Sequence, residues 1–424
     1  MRDERSHLPR DVHGTAIWLG LARLPPANSK GEGVGGAKIS MILNEQQTMI
    51  RDMARAFARE KLAPKAAEWD KTCQFPKAEL QEMGKLGFLG ITVPEDWGGA
   101  GTDMVCLAAI LEELAAGDAG TATIVSGHNS VCCMPIVQFG TIEQKERFLR
   151  PLATGEWIGA FALTEAHGGS EAGALNTKAV RKGDHYVLNG VKQFITTGQN
   201  ADIVIAFAKT QPELGPKGIS AFIVPTNTPG YKVMRVESKM GQHSSDTCQI
   251  AFEDMALPAT SLLGQEGQGY RIALANLESG RIGIGAQAVG IARAAYELAV
   301  QYARERQVFG KAIIDHQAVG FRIARMASRI EAARQLVLHS AALKDAGQPC
   351  LMEACMAKLE ASETAERVCS DAIQTLAGYG YLTDYAAERL YRDARVTKIY
   401  EGTNDIQHLV ILRELQRRMA PARI

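Results

Sequence analysis

Apolar residues recur at two different spacings along this chain, and the changes of spacing divide it into three parts. From residue 44 to about 152 the spacing is helical. Ile50, Met53, Ala54, Phe57 and Ala58 fall on one stripe, while Arg51, Asp52, Arg55, Arg59 and Glu60 mark the wet face. Pro64 is placed to bend or end that helix, because a proline ring clashes with the preceding turn. Residues 77–86 and 107–116 read as further helices on either side of a glycine-rich loop over 93–101. From 158 to about 236 the apolar residues come instead in short β-branched runs, at 159–163, 186–189, 203–208, 220–224 and 231–236, with another at 249–252. Lys182-Gly183-Asp184 and Asn189-Gly190 are turn signals between them, so this part reads as a small antiparallel β-domain.

The helical period returns at Tyr270. One helix of some ten turns runs to about Arg306, and 316–344, 351–378 and 405–419 complete a four-helix bundle. Gly280, Gly283, Gly285 and Gly290 in the first of these cost about 1 kcal/mol each relative to alanine, so close helix packing or an adjacent ligand is expected to compensate. Helices, then strands, then helices make an α+β chain: a helical domain over 41–157, a β-domain over 158–265 and a bundle over 266–424.

Residues 1–40 read as a flexible extension, with Pro25, Pro26 and a glycine cluster over 31–36. That cluster resembles a dinucleotide fingerprint only superficially, since no strand precedes it. Arg2, Arg5, Arg10 and Arg23 hint at a transit peptide, but Asp3, Glu4 and Asp11 oppose it, and Met41 is a candidate start.

Charge removes some classes of partner. With 47 basic and 47 acidic residues in 424, no global field draws the chain to nucleic acid or to an anionic membrane. No run approaches the ~20 apolar residues of a membrane span, so a soluble protein is expected. Eight cysteines show no CxxC pairing and no zinc-like spacing with histidine, so no metal site is expected. Free thiols fit a reducing compartment, a bacterial cytoplasm or alternatively a mitochondrial matrix.

Candidate chemistry concentrates at 399–407, where Glu401 is followed by Gly402 and a run of short polar residues opening a helix. Gly402 lets the backbone bend sharply, Asn404 with Gln407 fits a capping box, and the free N–H groups of a helix start suit a phosphate. A plain capped turn with a solvated glutamate has the same sequence. Two strand-to-turn segments, 161–170 and 192–197, offer backbone amides and hydroxyls to a heteroaromatic ring or a phosphate. Arg306 closes the long helix, where a surface charge is the common alternative.

Together these segments resemble, in order and spacing from about residue 44 to the C-terminus, the acyl-CoA dehydrogenase family. The resemblance implies FAD between the β-domain and the bundle. Phe161, Leu163, Thr164 and Ser170 would line the flavin, with Ala166-His167 where the family commonly has proline and glycine. Phe194, Ile195 and Thr196 form the second flavin element, with phenylalanine where the family usually has tryptophan, and Thr196 placed near flavin N5. Arg306, Gln317, Gln374, Gly378, Thr403 and Asp405 are implied as further FAD contacts, partly across a subunit boundary, hence a homotetramer or at least a dimer. Ser170, Glu278, Arg281 and Gly402 are implied substrate contacts. Some members carry their base on the long helix, where Gly280 stands here, so the resemblance assigns that role to Glu401. It would take the pro-R α-proton of a short or short branched-chain acyl-CoA while the β-hydride passes to N5, giving the trans-2-enoyl-CoA, with an electron-transfer flavoprotein as acceptor. An acyl-CoA oxidase-like or nitroalkane oxidase-like enzyme and a non-catalytic flavoprotein binder are the alternatives.

Overall fold

The computed structural model describes residues 42–419; the extension over 1–40 lies outside the described residues. The helix Glu45–Phe57 starts with a full capping box. Asn44 Oδ1 accepts from Gln47 N at 2.8 Å, and Gln47 Oε1 accepts from Asn44 N at 3.0 Å. It continues as a π turn through Leu62 and stops there, just before Pro64. Ile50, Ala54, Phe57 and Ala58 are buried as expected, but Met53 is not, because it sits at the edge of the stripe. Helices Lys77–Lys85, Met104–Gly117 and Ala119–Gly127 follow. The last of these runs through a π turn at His128–Cys133 into Met134–Phe139.

The middle part is one sheet of eight strands: β1 (Gly159–Ala162), β2 (Lys178–Lys182), β3 (His185–Thr196), β4 (Ile203–Lys209), β5 (Ile219–Pro225), β6 (Tyr231–Val236), β7 (Thr247–Pro258) and β8 (Leu262–Leu263). The order is β6-β7-β3-β2-β4-β5-β8, with β1 beside β4. The sheet is mixed rather than antiparallel. β1 runs parallel to β4, and β2 meets β4 in parallel at Lys178 and Lys209. A parallel pair needs a crossover connection, and the β2–β3 hairpin between β1 and β4 provides it. Asn189-Gly190 is not a turn but a bulge inside β3, where the register with β7 shifts. Asn189 exchanges two bonds with Asp254 on β7, and a side chain at Gly190 would collide with Thr177, its Cβ 2.4 Å from Oγ1.

The C-terminal part contains Gly269–Glu305, Gln317–Asp345, Leu351–Leu376 and Asn404–Met419, together with a helix the periodicity did not reveal, Ala386–Arg395. The glycines of the long helix are spent on close approach. A Cβ at Gly283 would lie 2.5 Å from Ser126 Oγ, at Gly285 2.9 Å from Val337, and at Gly290 2.2 Å from the Glu112 carbonyl. One apolar core therefore runs from Met104–Gly117 through the long helix into the bundle. Buried ion pairs cross the same seam, with Arg293 on Glu113 at 2.6 Å and Arg334 on Glu112 at 2.9 Å. No helix among the described residues is long and apolar enough to cross a membrane.

His128 ties the N-terminal helices to the sheet. Its Nδ1 accepts from Gly159 N at 3.0 Å and its Nε2 faces the Leu152 carbonyl at 3.1 Å, an arrangement that uses the neutral ring. Burial pushes its pKa down to about 4, so as pH falls the unfolded chain takes up this proton first. The stability it contributes at neutral pH is lost between about 6.5 and 4, on the order of 3 kcal/mol. We expect His128→Gln to melt lower at pH 7 and to lose less Tm across that window. A wild-type slope in the variant, followed by calorimetry, would contradict this.

Candidate active site

The loop before Asn404–Met419 carries two consecutive residues with left-handed backbone, Glu401 (φ 54°) and Gly402 (φ 91°). For a glutamate this conformation is costly and persists only where surroundings enforce it. Here the loop carbonyls turn inward. Gln407 Nε2 donates to Glu401 O at 3.2 Å and to Gly402 O at 2.8 Å, and Lys358 Nζ donates to Gly402 O at 2.9 Å. The expected capping box is not formed. Thr403 is the residue that caps, its Oγ1 accepting from Ile406 N at 3.4 Å. Asn404 instead lies inside the first turn, because Lys358 and Ser362 bind its Oδ1 at 2.9 and 3.2 Å.

The turn delivers the Glu401 carboxyl onto the long helix at Gly280. A Cβ there would lie 2.6 Å from Oε2 and 2.9 Å from Cδ. Oε2 is buried and has no hydrogen-bond partner among the described residues. Burial pushes this carboxyl up to about 7, although Arg281 and Lys358 oppose the shift. Arg281 is itself buried, with Nε unpartnered among the described residues. Glu278 turns to the other side of the helix, paired with Lys344 at 2.7 Å.

Next to Glu401, Tyr400 anchors the loop to three other segments, through Gln287, Gln242 and Thr123. Its hydroxyl donates to Gln287 Oε1 at 2.7 Å and accepts from Gln242 Nε2 at 3.3 Å. Thr123 Oγ1 donates to Gln242 Oε1 at 2.6 Å. Gln242 belongs to the connection between β6 and β7, and this connection also receives Thr197 N at Asp246 O, 3.0 Å. The loop bearing Glu401 is thereby joined to the end of β3.

At that end the sheet presents the other group of expected residues. Phe161 is half-buried with its ring on Phe207, centroids 4.9 Å apart; Leu163 and Ile195 are buried, and Thr164 and Thr196 are half-exposed. A register shift between Lys192 and Ile195 turns Phe194 outward, at φ 59° and 62% exposed. An aromatic face held open beside threonine hydroxyls fits a planar heteroaromatic group such as a flavin. Ser170 is exposed on the loop after β1. The two strand ends are locked by a residue pair whose role the sequence did not reveal. Lys192, fully buried, donates to Leu163 O at 3.1 Å and to Glu165 at 2.8 Å. Against the upward push of burial, the Lys192 charge and hydrogen bonds from Lys192, Thr177 and Asn176 hold Glu165 at about 2.

A third group lies at the far end of the long helix. Arg306 and Gly378 line one cavity of about 530 Å³ with Tyr302, Thr375 and Tyr379. Gln317 and Gln374 are exposed on their helices, as is Asp405 in the first turn of its own.

A helical, sheet and helical layering with an open aromatic cradle on the sheet and a buried carboxyl on the bundle defines a flavin-dependent oxidoreductase. The comparisons agree. Residues 44–156, 160–255 and 267–416 match the N-terminal, middle and C-terminal domains of acyl-CoA dehydrogenase. An acyl-CoA dehydrogenase of Bacillus subtilis is 50% identical over 375 residues, covering 88% of this chain and 99% of the relative. The human mitochondrial short-chain specific acyl-CoA dehydrogenase is 46% identical over 378 residues, 89% and 92% of the two chains. The solved butyryl-CoA dehydrogenase of Megasphaera elsdenii superimposes with a TM-score of 0.87 at 43% identity, covering 89% of this chain and 99% of that one. The chain belongs to the acyl-CoA dehydrogenase family, and like its members it is an FAD-dependent oxidoreductase.

Lys192→Met leaves Glu165 buried without its cation, a change that costs about 3–5 kcal/mol in such pairs. We expect this variant to purify with less than half the FAD per subunit and a lower Tm. Full flavin occupancy, read from absorbance, would show that the pair does not hold the cradle.

Proposed function

We propose that the protein dehydrogenates a short or short branched-chain acyl-CoA to the trans-2-enoyl-CoA, with Glu401 as the base that takes the α-proton. The observation that carries this reading is the Glu401 carboxyl, set against Gly280 with Oε2 buried and without a hydrogen-bond partner among the described residues. An α-proton beside a thioester carbonyl is weakly acidic, so its acceptor must be kept dry and near neutral pKa. Burial does this for Glu401, which loses its proton at about 7. Phe161, Leu163, Thr164, Ser170, Phe194, Ile195 and Thr196 are the residues that would hold the flavin ring, and Arg306, Gln317, Gln374, Gly378, Thr403 and Asp405 the rest of FAD. Bound FAD supplies the acceptor for the β-hydride. Arg281 and Gly402 flank the carboxyl and serve as substrate contacts; Glu278, committed to Lys344, acts there only through the helix it steadies.

The short acyl class is supported by the relatives that carry it in their names. An electron-transfer flavoprotein is the proposed acceptor of the electrons. A homotetramer is the proposed assembly, because Arg306, Gln317, Gln374 and Gly378 face outward at the end of the long helix, where a neighbouring subunit's cofactor would reach them.

Glu401→Gln is expected to keep bound FAD and to lose turnover about a thousandfold, measured with a dye acceptor across a panel of acyl-CoA chain lengths. In the wild type the rate should rise with pH through about 7, since the protonated carboxyl cannot accept a proton. Near-normal turnover of the glutamine variant would refute the base. Gly280→Ala puts a methyl 2.6 Å from Oε2 and should lower kcat about a hundredfold by displacing the carboxyl, with flavin content unchanged. A wild-type kcat would show that this contact does not place the reacting group.

A further inference from the structure

Lys358 stands on the buried face of Leu351–Leu376, among Ala354, Ala357, Ala361 and Ala365, and none of its surface is exposed. A buried ammonium needs either a carboxylate partner or a full set of acceptors. Among the described residues, no carboxylate lies within ion-pair distance of Lys358. Its Nζ is bound at 2.9 Å by Gly402 O and at 2.9 Å by Asn404 Oδ1, two acceptors on either side of Thr403. Both belong to the turn that sets Glu401, and Ser362 Oγ holds the same Asn404 oxygen from one helical turn further on.

We infer that Lys358 is a positioning residue for Glu401: its ammonium clamps the left-handed turn from behind and is a buried positive charge that favours the carboxylate. This rests on Glu401 being the base. The clamp supplies what the turn lacks. The φ of 54° at Glu401 is unfavourable in isolation, whereas Gly402 adopts 91° freely, and a cation bound to the Gly402 carbonyl and the Asn404 side chain fixes the turn. The charge acts on the same group. Burial pushes Glu401 up to about 7, and Lys358 and Arg281 are the two cations that oppose it. Burial likewise pushes Lys358 down to about 7, with Glu401 opposing, so the two groups titrate as a coupled pair. The other charged or titratable groups facing Lys358 are Arg281 from the long helix, Cys355 from its own helix and Lys398 from the turn after Ala386–Arg395. Tyr400 faces Glu401 from the preceding position.

The test compares wild type, Lys358→Met, Lys358→Gln and Glu401→Gln as FAD-loaded full chains. Two quantities are read against pH: kcat with a short acyl-CoA, and the protonated-carboxyl infrared band that Glu401→Gln abolishes. Without the cation the carboxyl should deprotonate later. In Lys358→Met the midpoint of the band and the acid limb of kcat should both move up by about one pH unit, and kcat should stay below wild type even at high pH because the turn has lost its clamp. Lys358→Gln keeps a donor for Gly402 O, so it should show the same shift with less loss of Tm, and it stands in if the methionine variant does not fold. An unmoved infrared midpoint in a folded variant overturns the proposal, even if Tm falls, since a purely structural lysine would lower Tm alone. That readout does not depend on turnover: an active Glu401→Gln refutes the base, whereas a dead Glu401→Gln with an unmoved midpoint in Lys358→Met refutes only the role of Lys358.

Discussion

A carboxyl oxygen of this protein is buried and set against a glycine of a neighbouring helix, where no side chain stands in its way. Glu401 lies where a Cβ on Gly280 would be, and much of the surrounding structure exists to keep it there. A buried carboxylate is expensive in a medium of low polarity, so its proton is held up to about 7. The turn that carries it is strained at Glu401, which makes sense only if neighbours restrain it from several sides. Gln407 and Lys358 do so through the loop carbonyls, and Tyr400 does so through Gln287 and Gln242.

The same logic explains the long helix. Four glycines in a helix interior would weaken it if it stood alone, yet each admits a neighbour at a distance a methyl group would forbid. Three of these neighbours belong to other helices and one is the Glu401 carboxyl. The helix therefore works as a rail on which the N-terminal helices, the bundle and the carboxyl are all set at close range, and the shared core across that seam makes their relative placement rigid. On the sheet, Lys192 and Glu165 do for the loops beside Phe194 what Lys358 does for the turn at Glu401. A buried cation with a few fixed acceptors locks two loops whose sequences alone would leave them free.

The order of helices and strands was legible because amphipathic spacing is local: a stripe at the helical period or an alternating run needs no partner to be seen. The boundaries of the long helix and of β1, β4, β5 and β6 follow it closely, and so does the turn at Glu401, whereas β2 and β8 carry no such run and β3 and β7 extend well beyond theirs. What the spacing could not show was pairing. The direction of β1 beside β4 and the bulge at Gly190 are decided by which strands meet and what presses on them from the next strand. Ala386–Arg395 escaped because its charged residues hide a narrow apolar face. Lys358 could have been noticed as a lysine on an otherwise small and apolar stripe, but its partners are 44 and 46 residues away.

By itself, then, the amino-acid sequence determined the layered architecture, the family and with it the dependence on FAD, since these reside in local periodicity and short motifs. Only the tertiary structure decided that Gly280 faces the carboxyl, that Thr403 rather than Asn404 caps the last helix, and that two buried lysines fasten the site. Those outcomes are set by close packing and by the cost of leaving a buried polar group unpaired, and both depend on what the fold brings alongside.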